Sequence, residues 1–349
     1  MCLKSEIKIS MLSSAEKVEG QGVASAYREQ VNLVKELPSK FTVIFDKILN
    51  MDIVHFHTID LKHYLSIPLV KIKGATVGYV HFLPETIEGS LKLPEPVKYI
   101  FYKYIINFYR SMDYLVTVNP YFIEKLVECG ISKEKIFYIP NFVSEELFYP
   151  LDSNQIKKEK KDLKLPSEKF IVLGVGQVQN RKGVMDFVNT ARRLPEVQFI
   201  WVGGFSFGKI SDGYKKLKKV VDNPPMNVRF TGIVPRNTMN IYFNIADLLF
   251  LPSYNELFPM SILEAMNCHT PLLLRDIPIY KDILNGYYLS AGSINGFIHI
   301  IKSLIFDKSY YNLARKKSMA GKEYYSREHV LEMWNEFYQK VYGEKVVGS

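Results

Sequence analysis

Residues 247–274 read DLLFLPSYNELFPMSILEAMNCHTPLLL. The apolar run stops at Pro252, a polar loop follows, a helical pattern opens at Pro259 and a second apolar run starts at Pro271. Proline suits the first position of a helix, where its missing N–H removes no hydrogen bond. The N–H groups of Met260 and Ser261 just after it then predict an anion site at a helix N-terminus. Glu256 sits in the loop before that helix and Glu264 within it. One carboxylate would meet a ligand at the helix mouth and the other along its flank. On spacing alone, the pair reads equally well as a loop acid and a helix acid in solvent.

The same strand–loop–helix pattern extends outward through the chain. Apolar runs predict strands at 7–12, 52–56, 75–80, 114–118 and 136–139, then at 170–175, 198–203, 227–231, 247–251 and 271–274. Helical periodicity falls between them, for example at 23–37, 120–129, 184–194, 236–244 and 259–268, and three helical segments close the chain near 294–307, 308–322 and 326–342. Such alternation predicts parallel sheets covered on both faces. A length of 349 residues suits roughly two domains. The polar, lysine-rich stretch 150–168 between the two sets, PLDSNQIKKEKKDLKLPSE, reads as a connection plus a surface helix. The expected architecture is therefore α/β, with two doubly wound Rossmann-like domains facing a cleft at the carboxyl ends of their strands.

Two glycine loops could approach a phosphate. GVGQVQNRKG at 174–183 follows a strand and places Arg181 and Lys182 beside Gly176 and Gly183, a possible diphosphate cradle without the Walker order. A surface turn with two solvated bases fits it equally. EGQGVASAYREQ at 19–30 holds Gly20 and Gly22 but has Ser25 where a dinucleotide fingerprint needs a third glycine. His55, His57 and His81 cluster near strand ends without an HExxH motif or an acidic partner at ligand spacing, so no metal site is expected. His81 ends a central strand and is the histidine expected to point at the cleft.

Composition narrows the function classes. Apolar residues are 47% and charged residues 23%, which excludes a mainly disordered chain or a collagen-like fibre. Three widely spaced cysteines fit a reducing compartment, and the first residues lack the apolar core of a signal peptide. Basic and acidic residues balance at 17 each over 1–150, so 151–349, with 28 against 19, carries the whole excess of +9. That excess implies an anionic partner. The runs KKEKK and KKLKK lack interleaved aromatics, so nucleic acid is not the expected one.

Taken together, these segments resemble the family 4 retaining glycosyltransferases of the GT-B fold. NELFPMSILEAMNCHTPLLL is similar to that family's Glu-x7-Glu signature, FTGIVPRNTMNIYFNIADLLFLPS at 230–253 to the lead-in, and GVGQVQNRKG to the donor loop. TVNPYFIEKLVECGISKEKIFYIPNFVSEELFYP at 117–150 is similar to the stretch closing the first domain. The resemblance implies an acceptor-side domain at 1–150, a nucleotide-sugar domain at 151–325 and a terminal helix, 326–349, crossing back to the first.

It also implies a catalytic set of His81, Arg181, Lys182 and Glu256, and a donor-binding set of Gly22, Gly176, Phe258, Met260, Ser261 and Glu264, with no metal or other cofactor. Glu264 would hold the ribose hydroxyls, Glu256 the hydroxyls of the donor hexose, and His81 would lie near the transferred sugar. Three positions depart from the pattern. Gln177 replaces an arginine facing the diphosphate, which shifts that task to Arg181 and Lys182, while Pro259 and His269 replace glycines.

Within the family, KISMLSSAEKVEGQGVASAYREQVNLVKE and the overall length look most like bacterial synthases that add the second hexose to a glycosyl-diacylglycerol. The implied reaction moves glucose or galactose from UDP-glucose or UDP-galactose to a membrane glycolipid, with retention. A surface-polysaccharide transferase, a nucleotide-sugar epimerase and a nucleic-acid-binding protein are the alternatives. For a lipid acceptor the protein is expected peripherally on an anionic membrane surface, at its cytoplasmic face. The segment VKYIFYKYIINFYR at 97–110 would supply apolar contact, with Lys103, Asn107 and Arg110 as a polar stripe and the loop 83–96 as a mobile approach. A helix buried against a sheet is the competing reading of that segment.

Overall fold

A computed structural model describes residues 6–14, 22–38, 40–84, 94–206, 208, 212–256 and 258–347. Gly20 and residues 85–93 of the expected approach loop lie outside them. The chain divides into two compact units, one formed by residues up to Phe142 together with the chain from Tyr325 onward, the other by Val143–Tyr324.

The first unit runs β1 (Ile7–Leu12), α1 (Gly22–Val34), β2 (Phe41–Phe45), β3 (Ile53–Phe56), α2 (Leu61–Lys71), β4 (Ala75–Val80), α3 (Glu95–Arg110), β5 (Tyr114–Thr117), α4 (Tyr121–Glu128) and β6 (Ile136–Tyr138). Its six strands lie in the order β2-β1-β3-β4-β5-β6 and pair in parallel throughout. Every residue of β3 and β4 is buried, as expected for strands covered on both faces.

The second unit continues with α5 (Ser153–Asp162), β7 (Ile171–Val175), α6 (Val184–Arg192), β8 (Gln198–Val202), α7 (Tyr214–Asp222), β9 (Val228–Gly232), α8 (Met239–Ile245), β10 (Leu248–Leu251), α9 (Met260–Asn267), β11 (Leu272–Arg275), α10 (Pro278–Leu284), β12 (Leu289–Ala291), α11 (Ile294–Phe306) and α12 (Lys308–Tyr324). Its parallel sheet has the order β12-β11-β10-β7-β8-β9. The core holds Phe187, Phe199, Trp201, Phe250 and Phe297. The last helix, α13 (Arg327–Val347), belongs to the first unit.

In both sheets the winding reverses once, between β1 and β3 and between β7 and β10. At such a reversal the loops leaving two neighbouring strands diverge and open a crevice at their carboxyl ends. The segments 174–183 and 252–259 leave β7 and β10, so the fold itself brings the two quoted motifs together.

Five elements lie outside the sequence pattern, among them α7, in which only Leu217 is buried. β2 is an edge strand with only Phe41 buried, so it shows no strong apolar run. β12 has three residues. α2 carries Pro68 inside it and apolar residues on both its buried and exposed sides, which hides its period. α10 starts at a proline that reads equally as a loop signal. Segment 97–110 divides the two readings made of it: Ile105, Phe108 and Tyr109 are buried, whereas Val97, Tyr99 and Ile100 at its beginning are exposed. Among the described residues no helix is long and apolar enough to cross a membrane.

The three histidines of the first unit pack as one buried aromatic stack. His55 lies 4.2 Å from His57 and 5.4 Å from Trp334 of α13, and its Nδ1 is 2.9 Å from the Tyr338 hydroxyl. Tyr79 joins His57 to His81, with ring centroids at 5.1 and 4.3 Å. Burial, and then the neighbouring imidazoles, lower His57 well below the usual histidine value and His55 to about 3; burial alone takes His81 to about 3. All three are therefore neutral in the fold at pH 7.

Because these folded values lie below the unfolded 6.5, their contribution to stability is complete above pH 6.5 and is lost as pH falls toward 3. Each histidine should remove about 1.4 kcal/mol per pH unit in that window. Chemical denaturation should thus show a steep loss of stability in the first unit between pH 6.5 and 5, and His57→Gln should flatten the slope by about one histidine's share. Equal stability at pH 7 and pH 5 would contradict the neutral stack.

Candidate active site

The loop after β7 is shaped by its glycines. Gly174 serves packing: a Cβ there would lie 2.4 Å from the Trp201 ring. Gly176 takes φ 140° and its carbonyl accepts the Trp201 indole N–H at 2.9 Å. A 3-10 turn, Asn180–Lys182, ends at Gly183, which has φ 68°. A Cβ at Gly183 would stand 2.1 Å from the Pro252 carbonyl oxygen. That bare Cα lets the turn bearing Arg181 and Lys182 sit against the end of β10, where Tyr254 N–H donates to the Arg181 carbonyl at 2.8 Å.

Glu256 is where the two motifs meet. Its Oε1 accepts from Lys182 Nζ at 2.5 Å and its Oε2 lies 3.3 Å from Arg181 Nη1, which also donates to the Asn255 carbonyl at 2.7 Å. All three side chains are largely buried. Burial raises the carboxyl pKa, but Lys182 and Arg181 outweigh it and hold Glu256 below the ordinary carboxylate value. For Lys182 burial outweighs the attraction of Glu256 and lowers the ammonium pKa. Two cations face one carboxylate, so this group of three carries a net charge of +1, held in a poorly solvated place.

A second network fixes the loop, and sequence reasoning missed it. Arg275, buried at the end of β11, donates from Nε to the Pro252 carbonyl at 2.9 Å and pairs with Asp186. Its guanidinium lies 4.0 Å from the Tyr254 ring centroid, and the Tyr254 hydroxyl donates to Asp186 at 2.7 Å. Arg275 therefore clamps the chain on the N-terminal side of Glu256. The one sequence signal was a charge closing the apolar run LLLR.

Glu264 lies in α9, a helix buried at every position. Arg236, from a 3-10 turn before α8, donates to Glu264 Oε1 at 2.7 Å and rests 5.1 Å from the Phe148 ring centroid. Phe258, Met260 and Ser261 are buried at the start of the same helix, whose N-cap is Pro259 with no side-chain cap. His269 has φ 60° just past the helix end, where its N–H donates to Met266 and that of Thr270 to Ala265. This left-handed turn is the physical reason for the glycine common at that position. Gln177 accepts from the Gln179 side chain at 2.8 Å and brings no charge.

Of the expected site residues, Arg181, Lys182, Glu256, Gly176, Phe258, Met260, Ser261 and Glu264 fall in the second unit, while His81 and Gly22 fall in the first. Gly22 opens α1. His81 follows β4, buried, with no partner for its Nε2 among the described residues. Among the described residues no group of three or more His, Cys, Asp or Glu side chains is placed to hold a metal ion.

Comparison with known proteins identifies the family and the fold. Residues 155–321 match the family described as glycosyl transferases group 1, and residues 23–147 match glycosyltransferase family 4. The chain belongs to the family 4 glycosyltransferases of the GT-B fold, and it is a glycosyltransferase. It is 46% identical, over 97% of its length and 90% of the relative's, to an alpha-galactosylglucosyldiacylglycerol synthase of Streptococcus pneumoniae. A processive diacylglycerol alpha-glucosyltransferase of Acholeplasma laidlawii is 28% identical over 75% of this chain and 76% of that one. The fold is shared with Anabaena HepE in complex with UDP-glucose (TM-score 0.75, 14% identity, 96% of this chain and 100% of that one). It is also shared with a sucrose-phosphate synthase of Thermosynechococcus elongatus (TM-score 0.76, 16% identity, 97% and 100%).

The Gly183 contact makes a sharp test. Gly183→Ala should destabilise the protein by about 2–3 kcal/mol in urea denaturation, because a strained φ is joined by a clash with backbone. Gly286→Ala, with φ 77° but nothing within 4 Å of the added carbon, should cost only about 1 kcal/mol. Equal losses in the two variants would show that the Lys182 turn does not depend on close approach to Pro252.

Proposed function

We propose that this chain is a retaining hexosyltransferase that moves glucose or galactose from a UDP-sugar to monoglycosyl-diacylglycerol, giving diglycosyl-diacylglycerol. The observation that carries the chemistry is the gathering of Lys182, Arg181 and Glu256 where the second sheet reverses. The support for the acceptor is the 46% identity to a relative whose name gives a galactosyl unit on a glucosyl-diacylglycerol. UDP-galactose is accordingly the first donor to test.

In this reading the diphosphate competes with Glu256 for the two cations. As the bond to the sugar breaks, negative charge grows on the leaving UDP, and Lys182 and Arg181 stabilise it where little water competes. The N–H groups of Met260 and Ser261 add the positive end of α9. Gly176 keeps the backbone bare beside them, and Phe258 walls the nucleotide side. Glu256, released from Lys182, is left to accept hydrogen bonds from the donor hexose. Glu264 holds the ribose hydroxyls, with Arg236 fixing the position of its carboxylate. His81 is neutral and serves the transferred sugar as a hydrogen-bond partner; Gly22, at the start of α1, would approach it. The division into acceptor and nucleotide-sugar domains is part of the same proposal, as is peripheral attachment to an anionic membrane at the cytoplasmic face.

Lys182→Ala should lower kcat/KM by about two to three orders of magnitude, the scale of losing one charge-stabilising donor. Activity within threefold of the unaltered enzyme would remove Lys182 from the reaction. Glu256→Gln should damage turnover with little loss of UDP affinity, whereas Glu264→Gln should weaken UDP binding itself. Calorimetry giving the Glu264 variant undiminished UDP affinity would contradict that division. Mass spectrometry of products separates the acceptors: a lipid heavier by one hexose supports the proposal, and a lengthened glycan or an isomerised free nucleotide sugar opposes it.

A further inference from the structure

The first unit carries an apolar row that its own fold leaves in water. Leu61, Leu65 and Leu69 of α2 and Ile72 at its C-cap are 63%, 68%, 54% and 72% exposed. Their spacing places them on one face of the helix, while His63, Ser66, Ile67 and Val70 turn inward to the sheet. Most large side chains of a soluble surface helix lie the other way, and an exposed row of four branched aliphatics marks a contact surface.

The row continues onto the neighbouring helix. Tyr64 of α2 meets Tyr104 of α3 edge-on at 5.6 Å, and the Tyr104 hydroxyl donates to the Ile59 carbonyl. Ile100 and Val97 lie one and two turns N-terminal of Tyr104 on the same side of α3, both at least half exposed, with Tyr99 beside them. At the other end, Leu69 also lines an open groove of about 690 Å³ with Ile44, Leu49 and Lys47. The apolar surface therefore runs across three neighbouring segments of one unit.

Most of the charges around it are positive. Lys62 and Lys73 flank the α2 row, Lys103 lies 4.5 Å from the Tyr99 ring and Lys98 lies 5.6 Å from that of Tyr102. Three of the nearby acids are engaged, and Asp46 lines the groove beside Lys47: Asp60 accepts from Ser14 and Thr58, Asp113 pairs with Lys71 at 2.9 Å, and Glu95 is 3.7 Å from Lys98. A second copy of the chain would set lysines against lysines on this face. An anionic lipid surface accepts both parts of it, the ammonium groups at the headgroups and the aliphatics below them.

We propose that the α2 row and the first two turns of α3 together form a face that docks flat on an anionic lipid bilayer. The purpose of the face rests on the glycolipid-acceptor reading above, but its existence is tested without it.

Flotation with vesicles of phosphatidylcholine, with and without phosphatidylglycerol, compares the native chain with Leu65→Glu/Leu69→Glu and with Lys62→Gln/Lys73→Gln/Lys103→Gln. The native chain should float with phosphatidylglycerol vesicles and be released by high salt. The glutamate variant should lose about tenfold or more of its partitioning in any salt, and the glutamine variant should lose its preference for phosphatidylglycerol. Thermal midpoints should be unchanged, since every altered side chain is in water. Undiminished flotation of the glutamate variant overturns the proposal, as does a shift from dimer to monomer in sedimentation velocity with lipid partitioning intact, which would give the face to a second copy. If both variants lose binding as expected but no diacylglycerol acceptor is used in detergent or in vesicles, the docking face stands and the acceptor reading fails.

Discussion

A carboxylate buried at Glu256 must be compensated, and much of the second unit's site geometry follows from how that is done. Leaving a charged group out of water without partners costs several kcal/mol, so Glu256 requires Lys182 and Arg181 within reach. They reach it because Gly183 has no side chain to hold the 180–182 turn away from Pro252. Arg275 and Asp186 then fix the other side of the loop through Pro252 and Tyr254. Ionic pairs of this kind add little net stability, but they leave few alternative positions for the loop. A site built this way is preorganised for an anion: its two cations are already desolvated and already aimed.

The same economy appears in where the site lies. Parallel sheets need crossovers, and a doubly wound sheet must reverse its winding somewhere. Here the reversal falls between β7 and β10, and the loops that carry Lys182 and Glu256 leave those two strands side by side and pack against each other just before α9. The first sheet reverses between β1 and β3, and on its β3–β4 side it carries a neutral stack of histidine, tyrosine and tryptophan packed with α13. One sheet carries paired charges and the other a neutral stack.

Much of this was legible in the chain. The 247–274 segment announced a strand, an acidic loop and a proline-started helix because each depends on neighbours only a few residues away. Contacts between distant residues were not legible. Arg236 and Glu264 are 28 positions apart, and Arg275 and Asp186 are 89 apart, so no local spacing reveals either pair. Helix α2 was hidden by Pro68 and by apolar residues on both of its sides, and that second apolar side is itself the feature that sets the first unit apart. In segment 97–110 the sequence offered a membrane helix or a buried one, and the structure buries Ile105, Phe108 and Tyr109 and leaves the beginning of the helix exposed.

In the proposed reaction the cations now holding Glu256 are the ones that receive the donor diphosphate. A crystal structure of the protein with UDP tests this most directly. Lys182 Nζ and Arg181 should lie within hydrogen-bond distance of the β-phosphate, with the Lys182–Glu256 contact lengthened from 2.5 Å and the ribose on Glu264. UDP bound elsewhere, with the Lys182–Glu256 pair intact, would contradict it.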